Sequence, residues 1–157
     1  MPGDIEKKIQ QSMNRLHEQT VKQAQAMGWV GVQYLRNAEL KVLSGQRSGR
    51  RYNVPGTGRV KYYKRTHTAT ITYRKYTASA PGEPPAVRLG VFRTSWQMRV
   101  KDQENGVLLR LETPESQKKY PECLENGTSR MAPHPYVQRI QDMAEPQIRR
   151  LCRNIRL

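Results

Sequence analysis

From Asp4 to about Leu43 the apolar residues fall at Ile5, Ile9, Met13, Leu16, Thr20, Ala24, Met27, Gly31, Leu35, Ala38 and Val42. Steps of three and four trace one stripe along a long helix. Asp4 is placed to cap its start, and Ser44-Gly45 to stop it. Gly28 and Gly31 each cost roughly 1 kcal/mol relative to Ala inside a helix, so a kink or a close helix contact is expected near Trp29. Met13, Met27 and Trp29 read as core packing.

The period changes after the helix. Gln46 to Gly58 is rich in Gly, Ser and Arg and reads as an exposed, mobile loop. Val60–Arg65 and Thr70–Tyr76 are enriched in Tyr, Val, Ile and Thr, with Thr66–Ala69 between them, which predicts a β-hairpin. Ser79–Val87 carries Pro81, Pro84 and Pro85 and must run extended. Trp96, Met98 and Val100 then alternate with polar residues, Asp102–Gly106 turns the chain, and Val107–Thr113 returns, a second hairpin closed by Pro114. Its apolar face needs a cover, and the two amphipathic helices are the candidates.

Ser116–Asn126 reads as a short helix leading into a corner at Tyr120–Tyr136. There Asn126-Gly127 offers a turn where positive φ is cheap, and Pro133 and Pro135 hold the chain extended. A final helix follows, its apolar face formed by Tyr136, Val137, Ile140, Met143, Ala144, Ile148, Leu151, Cys152 and Ile155, with Pro146 expected to kink or restart it. The fold class is α+β: a long N-terminal helix and a C-terminal helix packed on a small antiparallel sheet, with an extended basic arm. One domain spans residues 1–157, divided into a helix (1–45), a basic loop and hairpin arm (46–78), and sheet, corner and C-terminal helix (79–157).

Composition sharpens this picture. The 157 residues are 36% hydrophobic, with a single Phe and two Trp beside eight Tyr, so the core is modest and support from neighbouring proteins is expected. The formal charge of +15 points to an anionic partner, most simply nucleic acid. From Lys41 to Gly82 there are ten Lys or Arg residues and no acid: Lys41, Arg47, Arg50, Arg51, Arg59, Lys61, Lys64, Arg65, Arg74 and Lys75. With Tyr62 and Tyr63 interleaved, the first hairpin suits either of two roles. It clamps phosphates while its rings stack on bases or sugars, or it packs its Tyr residues on a neighbouring subunit. Arg149, Arg150, Arg153 and Arg156 repeat the charge bias in the tail.

Catalytic chemistry is not written in the chain. His17, His67 and His134 lie in unrelated contexts, and the closely spaced acids read as turns, caps or solvated faces. Neither a Gly-rich phosphate loop nor a Gly-x-Ser-x-Gly elbow is present. Cys123 and Cys152 form no Cys-x-x-Cys spacing. A single disulfide between them stays open, although both read as thiols of a reducing compartment. No cofactor is expected. The start has no apolar signal region and no run approaches a membrane span, which implies a soluble protein made in the cytosol.

Two blocks are more specific. Tyr120, Leu124, Glu125, Gly127, Thr128, Ser129, Arg130, Met131, Ala132, Pro133 and Pro135 resemble the Tyr…Leu-Glu-x-Gly-Thr-Ser-x-Met-x-x-x-Pro corner of a family of long-tailed bacteriophage neck and tail-completion (head-tail joining, minor tail component) proteins. Ser79–Val87, including Pro81, Gly82, Pro84 and Pro85, followed by Gly90, Phe92 and Ser95-Trp96, resembles that family's other signature. In the family this second segment leads into a short helix, which Val87–Ser95 would supply here. Where the family commonly has Thr-Gly, a basic residue and Leu, this chain has Leu89-Gly90-Val91-Phe92. The resemblance covers most of the chain but not the segment from about Gln46 to Thr77. It implies a structural virion protein of the head-tail junction, assembled in the host cytoplasm as a homo-oligomeric ring, a hexamer or dodecamer. Double-stranded genomic DNA would pass through its channel, and its neighbours would be portal or adaptor, head-closure and tail-tube or tail-terminator rings. A basic nucleic-acid-binding module acting free in solution is the alternative.

Overall fold

The computed structural model describes residues 2–104, 106–114 and 119–153. The elements are α1 (Pro2–Ser44), β1 (Arg51–Asn53), β2 (Arg59–Tyr63), β3 (Thr68–Thr72), β4 (Lys75–Thr77), α2 (Val91–Thr94), β5 (Gln97–Gln103), β6 (Gly106–Glu112), α3 (Lys119–Asn126) and α4 (Val137–Arg153). This is the expected α+β class. In place of one sheet there are three two-stranded antiparallel sheets, β1–β4, β2–β3 and β5–β6. The helix begins at Pro2, before Asp4, so Asp4 lies in its first turn and does not cap it. Proline suits that first position because its missing N–H would have no intrahelical partner there. Ile155, Arg156 and the expected helix start at Ser116 lie outside the described residues.

The chain divides into two compact units, each discontinuous in sequence. The first comprises residues 1–37, 97–112 and 144–157. In it the β5–β6 hairpin, paired from Gln97↔Glu112 to Gln103↔Gly106, lies against α1. A Cβ added to Gly28 would fall 2.9 Å from both Val100 and Val107, and one on Gly31 would fall 2.7 Å from Leu109. The two glycines therefore mark a close approach of a hairpin to the helix, and α1 runs through them uninterrupted. Gln25 Nε2 donates to Asp102 Oδ2 at 2.7 Å, and Arg99 pairs with Glu112 at 2.8 Å across the strands.

The second unit comprises residues 38–96 and 113–143. Ala38, Val42 and Leu43 of α1, Val54, Leu124, Tyr136 and Ile140 are its buried apolar residues. The stretch read from sequence as a mobile loop contains β1, paired with β4 from Arg51↔Thr77 to Asn53↔Lys75, and the fully buried Val54. The sequence pattern ran β3 on through Tyr76. Instead it stops at Thr72, because the Arg74 carbonyl accepts from Val54 N–H and Arg74 N–H donates to Thr57 Oγ1. α4 continues across Pro146. Its buried positions are Ile140 and Ala144, whereas Val137, Met143 and Cys152, expected on the apolar face, are exposed.

Candidate functional site

In the second unit the corner is built by local backbone chemistry. Gly127 sits at φ 75°, and Thr128 and Met131 exchange backbone hydrogen bonds of 2.8 and 3.2 Å around the turn. Glu125 explains why an acid precedes that glycine: its Oε2 accepts from Tyr136 N–H at 2.9 Å and Val137 N–H at 3.2 Å. The carboxylate thereby satisfies unpaired donors at the start of α4, where negative charge also opposes the helix dipole favourably. Leu124, buried, gives its carbonyl to His134 N–H. Arg130 and Tyr120 are exposed, and Pro135 is half-buried.

The other family-like block folds directly onto this corner. Ala80–Glu83 forms a turn around Pro81 and Gly82, closed by Glu83 N–H to Ala80 O. Gly82 N–H donates to Pro133 O at 3.1 Å, Arg139 Nη2 donates to Gly82 O, and His134 Nδ1 lies 3.0 Å from Glu83 O. Pro84 and Pro85 are buried. Gly90 precedes α2 at φ 84°, and α2 presents Phe92 edge-on to Tyr120 and Tyr136 with ring centroids 5.6 Å apart in both cases. Trp96 meets Tyr136 at 5.9 Å. Burial pushes the Tyr136 phenol up, with the Glu125 charge adding to it, so the hydroxyl stays protonated and donates to Pro121 O. Residues up to 57 positions apart in sequence thus make one interlocked platform.

Glu83 fastens the platform to the start of the basic segment. Its carboxylate accepts from Ser48 Oγ at 2.6 Å, Ala80 N–H at 2.9 Å and Ser48 N–H at 3.1 Å. The Ser48 hydroxyl and these amides lower its pKa from 4.5 to about 2. A carboxylate with a depressed folded-state pKa stabilises the fold fully above its unfolded value and loses that contribution as pH falls toward the folded one. The melting-temperature advantage of wild type over Glu83→Gln is therefore expected to hold at pH 6 and shrink steadily between about pH 4.5 and 2. Thermal unfolding of both proteins across that range checks it.

The basic residues separate into groups. Arg47 is held by its own chain, donating to Val42 O, Gly45 O, Gln46 O and Pro85 O, and so satisfies a carbonyl at the end of α1. Arg74 donates to Arg88 O at 3.0 Å. Arg50, Arg51 and Lys75 are exposed around the β1–β4 pair, with the Arg50 guanidinium 5.8 Å from the Tyr52 ring centre. The β2–β3 hairpin has all ten strand residues exposed. Its register is Arg59↔Thr72, Val60↔Ile71, Lys61↔Thr70, Tyr62↔Ala69 and Tyr63↔Thr68. Because alternate residues face opposite ways and opposed residues share a face, the hairpin has two characters. One face carries Arg59, Lys61 and Tyr63 among threonines, with Lys61 Nζ 5.1 Å from the Tyr63 ring centre. The other carries Val60, Tyr62, Ala69 and Ile71. Lys64 and Arg65 occupy the turn between them.

Sequence reasoning grouped Tyr62 with the basic residues; the register puts it on the apolar face. It also overlooked Ser48, Glu83, His134 and Arg139, for which the one sequence signal was a lone acid directly after a long basic run. Among the described residues no three His, Cys, Asp or Glu side chains converge as a metal site, and no helix is long and apolar enough to cross a membrane. Cys123 and Cys152 are free thiols.

Reversing Arg59, Lys61, Lys64 and Arg65 to Glu is expected to leave the melting temperature within a few degrees of wild type, since every one is exposed and none has an ion-pair partner among the described residues. Calorimetry checks this, and a large loss would mean that the hairpin supports the fold. Compared with family models, curated proteins and solved structures, the chain matches none.

Proposed function

We propose that this chain is a structural, non-catalytic protein of the head-tail junction of a long-tailed bacteriophage, one copy in a ring around the channel through which double-stranded DNA passes. The observation that carries the reading is the mutual packing of its two motif blocks. The Pro81–Pro85 segment and the Gly127–Pro135 corner, which the resemblance picks out independently, hydrogen-bond to each other through Gly82 and Pro133 and share the Phe92–Trp96–Tyr136 ring cluster. Such a platform suits an assembly component: hydrogen bonds hold its two loops against each other beside the first residues of α4. Its partners in this reading are further copies of itself and the rings on the head and tail sides of the junction.

The basic hairpin serves the channel. Phosphate contacts by exposed Lys and Arg are diffuse and salt-sensitive and read no bases, which lets DNA slide. The same exposed cationic face favours a second reading, a nucleic-acid-binding module acting free in solution. Inactivating the gene in a phage that carries it separates the two. The junction reading expects filled heads and free tails that fail to join, seen by electron microscopy and restored by the chain supplied in trans. Complete infectious virions without it would overturn that reading.

A further inference from the structure

The β1–β4 and β2–β3 pairs are two stretches of one ribbon. Between them Val54 N–H donates to Arg74 O at 2.7 Å and Arg74 N–H to Thr57 Oγ1 at 3.1 Å. Gly49 N–H to Ala78 O and Ala78 N–H to Arg50 O extend its base, next to which Ser48 is held by the Glu83 carboxylate. The ribbon is thus anchored at one end, and every strand residue of its outer part, β2–β3, is exposed.

That outer part sorts its charge by face. Arg59 and Lys61 share one face with Tyr63, Thr68, Thr70 and Thr72, a set without an acid or an amide side chain, and Lys64 and Arg65 follow at the turn. All four cations are exposed, and none is ion-paired among the described residues. Acids close in sequence cannot offset them, since none occurs from Lys41 to Gly82. The face therefore presents bare positive charge to a polyanion. Its one ring is Tyr63, and Lys61 Nζ already lies 5.1 Å from that ring's centre. Single-stranded nucleic acid is held by rows of rings on which successive bases stack, and this face has no such row. Cations among short hydroxyl side chains match the phosphates of a duplex instead.

We propose that the Arg59–Lys61 face, with Lys64 and Arg65 at the turn, is where this chain meets nucleic acid, and that it takes the phosphate backbone of duplex DNA without reading bases. Arg47 and Arg74 belong to the same basic run but donate to carbonyls of their own chain and take no part. The assignment rests on the reading above that DNA is the partner; it narrows the contact to one face and to duplex over single strand, whether the chain works in a ring or alone.

The test compares two variants of the full chain. Arg59→Gln with Lys61→Gln alters the face, whereas Lys101→Gln with Arg110→Gln removes the same charge from exposed positions of β5–β6. Unchanged circular dichroism establishes that both fold. Anisotropy of a short fluorescent duplex is followed across a salt series. Four phosphate contacts at about −0.9 each give an expected slope of log affinity against log salt of about −3.6 per copy engaged. Arg59→Gln with Lys61→Gln should halve that slope and weaken binding equally for unrelated sequences. The β5–β6 variant should keep the wild-type slope, and a single strand of the same length should bind more weakly than the duplex. Equal loss of slope in both variants, or none in the first, would show that net charge and not this face holds DNA. Tighter binding of the single strand, or capture by vesicles of anionic phospholipid in place of duplex, would overturn the duplex assignment. Wild type that ignores duplex at low salt overturns the contact outright; the joining of heads to tails, read by electron microscopy, remains the separate test of the junction reading.

Discussion

Gly127→Val is expected to destabilise the protein by roughly 3 kcal/mol or more, the sum of about 1–3 kcal/mol for a non-glycine residue at positive φ and a steric term. Gly127 has φ 75°, and a Cβ there would lie 2.8 Å from Met131 O, 2.9 Å from Pro133 N and 3.1 Å from Pro133 Cδ. Those atoms belong to the turn that sets Pro133 against Gly82, so relief must come by opening the corner. In a chain of this size roughly 3 kcal/mol lowers the melting temperature by about 6–12 °C. Gly56→Ala provides the control: at φ 73° with nothing within 4 Å of the added Cβ, it carries the conformational penalty alone. Gly127→Ala should therefore lose clearly more stability than Gly56→Ala in denaturant unfolding, and equal losses would mean that the corner yields freely.

Tyr136→Ala is expected to be the more damaging truncation, at about 3–5 kcal/mol, the range for removing a large buried ring. Tyr136 is 2% exposed, packs edge-on against Phe92 and Trp96, and donates its hydroxyl to Pro121 O. Tyr136→Phe separates the contributions. It keeps the rings in place and leaves the Pro121 carbonyl without this donor, so its loss should be about 1–2 kcal/mol. Urea midpoints for the pair check the order; a Phe variant as unstable as Ala would show that the hydrogen bond, and not ring packing, holds the platform.

Much of the architecture was legible because periodicity is written locally. α1 and α4 carry long stripes at helical spacing, and the β5–β6 hairpin alternates cleanly. The β1–β4 pair was not legible: each strand has three residues, and the pairing continues through a hydrogen bond from Val54 N–H to the Arg74 carbonyl. The end of β3 was misplaced for the same reason, since Tyr73–Arg74 looks like strand until Thr57 competes for its backbone. At the site, the corner's turn residues announced themselves through Gly and Pro. What Glu125 does needed the structure, because its carboxylate and the first N–H donor of the helix it caps lie eleven residues apart with a turn between. Charge was visible in the sequence as a run, but whether a given cation is free depends on nearby carbonyls. Arg47 is occupied by four of them, whereas Arg59 and Lys61 stand exposed on one face of a hairpin whose other face is apolar. That division follows from register, which one residue of slip would invert.

The most direct test of the account is the solution mass of nuclease-treated protein by light scattering, with and without short duplex DNA at two salt concentrations. A ring-sized mass, a fixed multiple of 18.2 kDa that forms without DNA, is the predicted result. A monomer that binds DNA tightly, with affinity falling steeply as salt rises, would contradict the junction reading and leave the free nucleic-acid-binding module in its place.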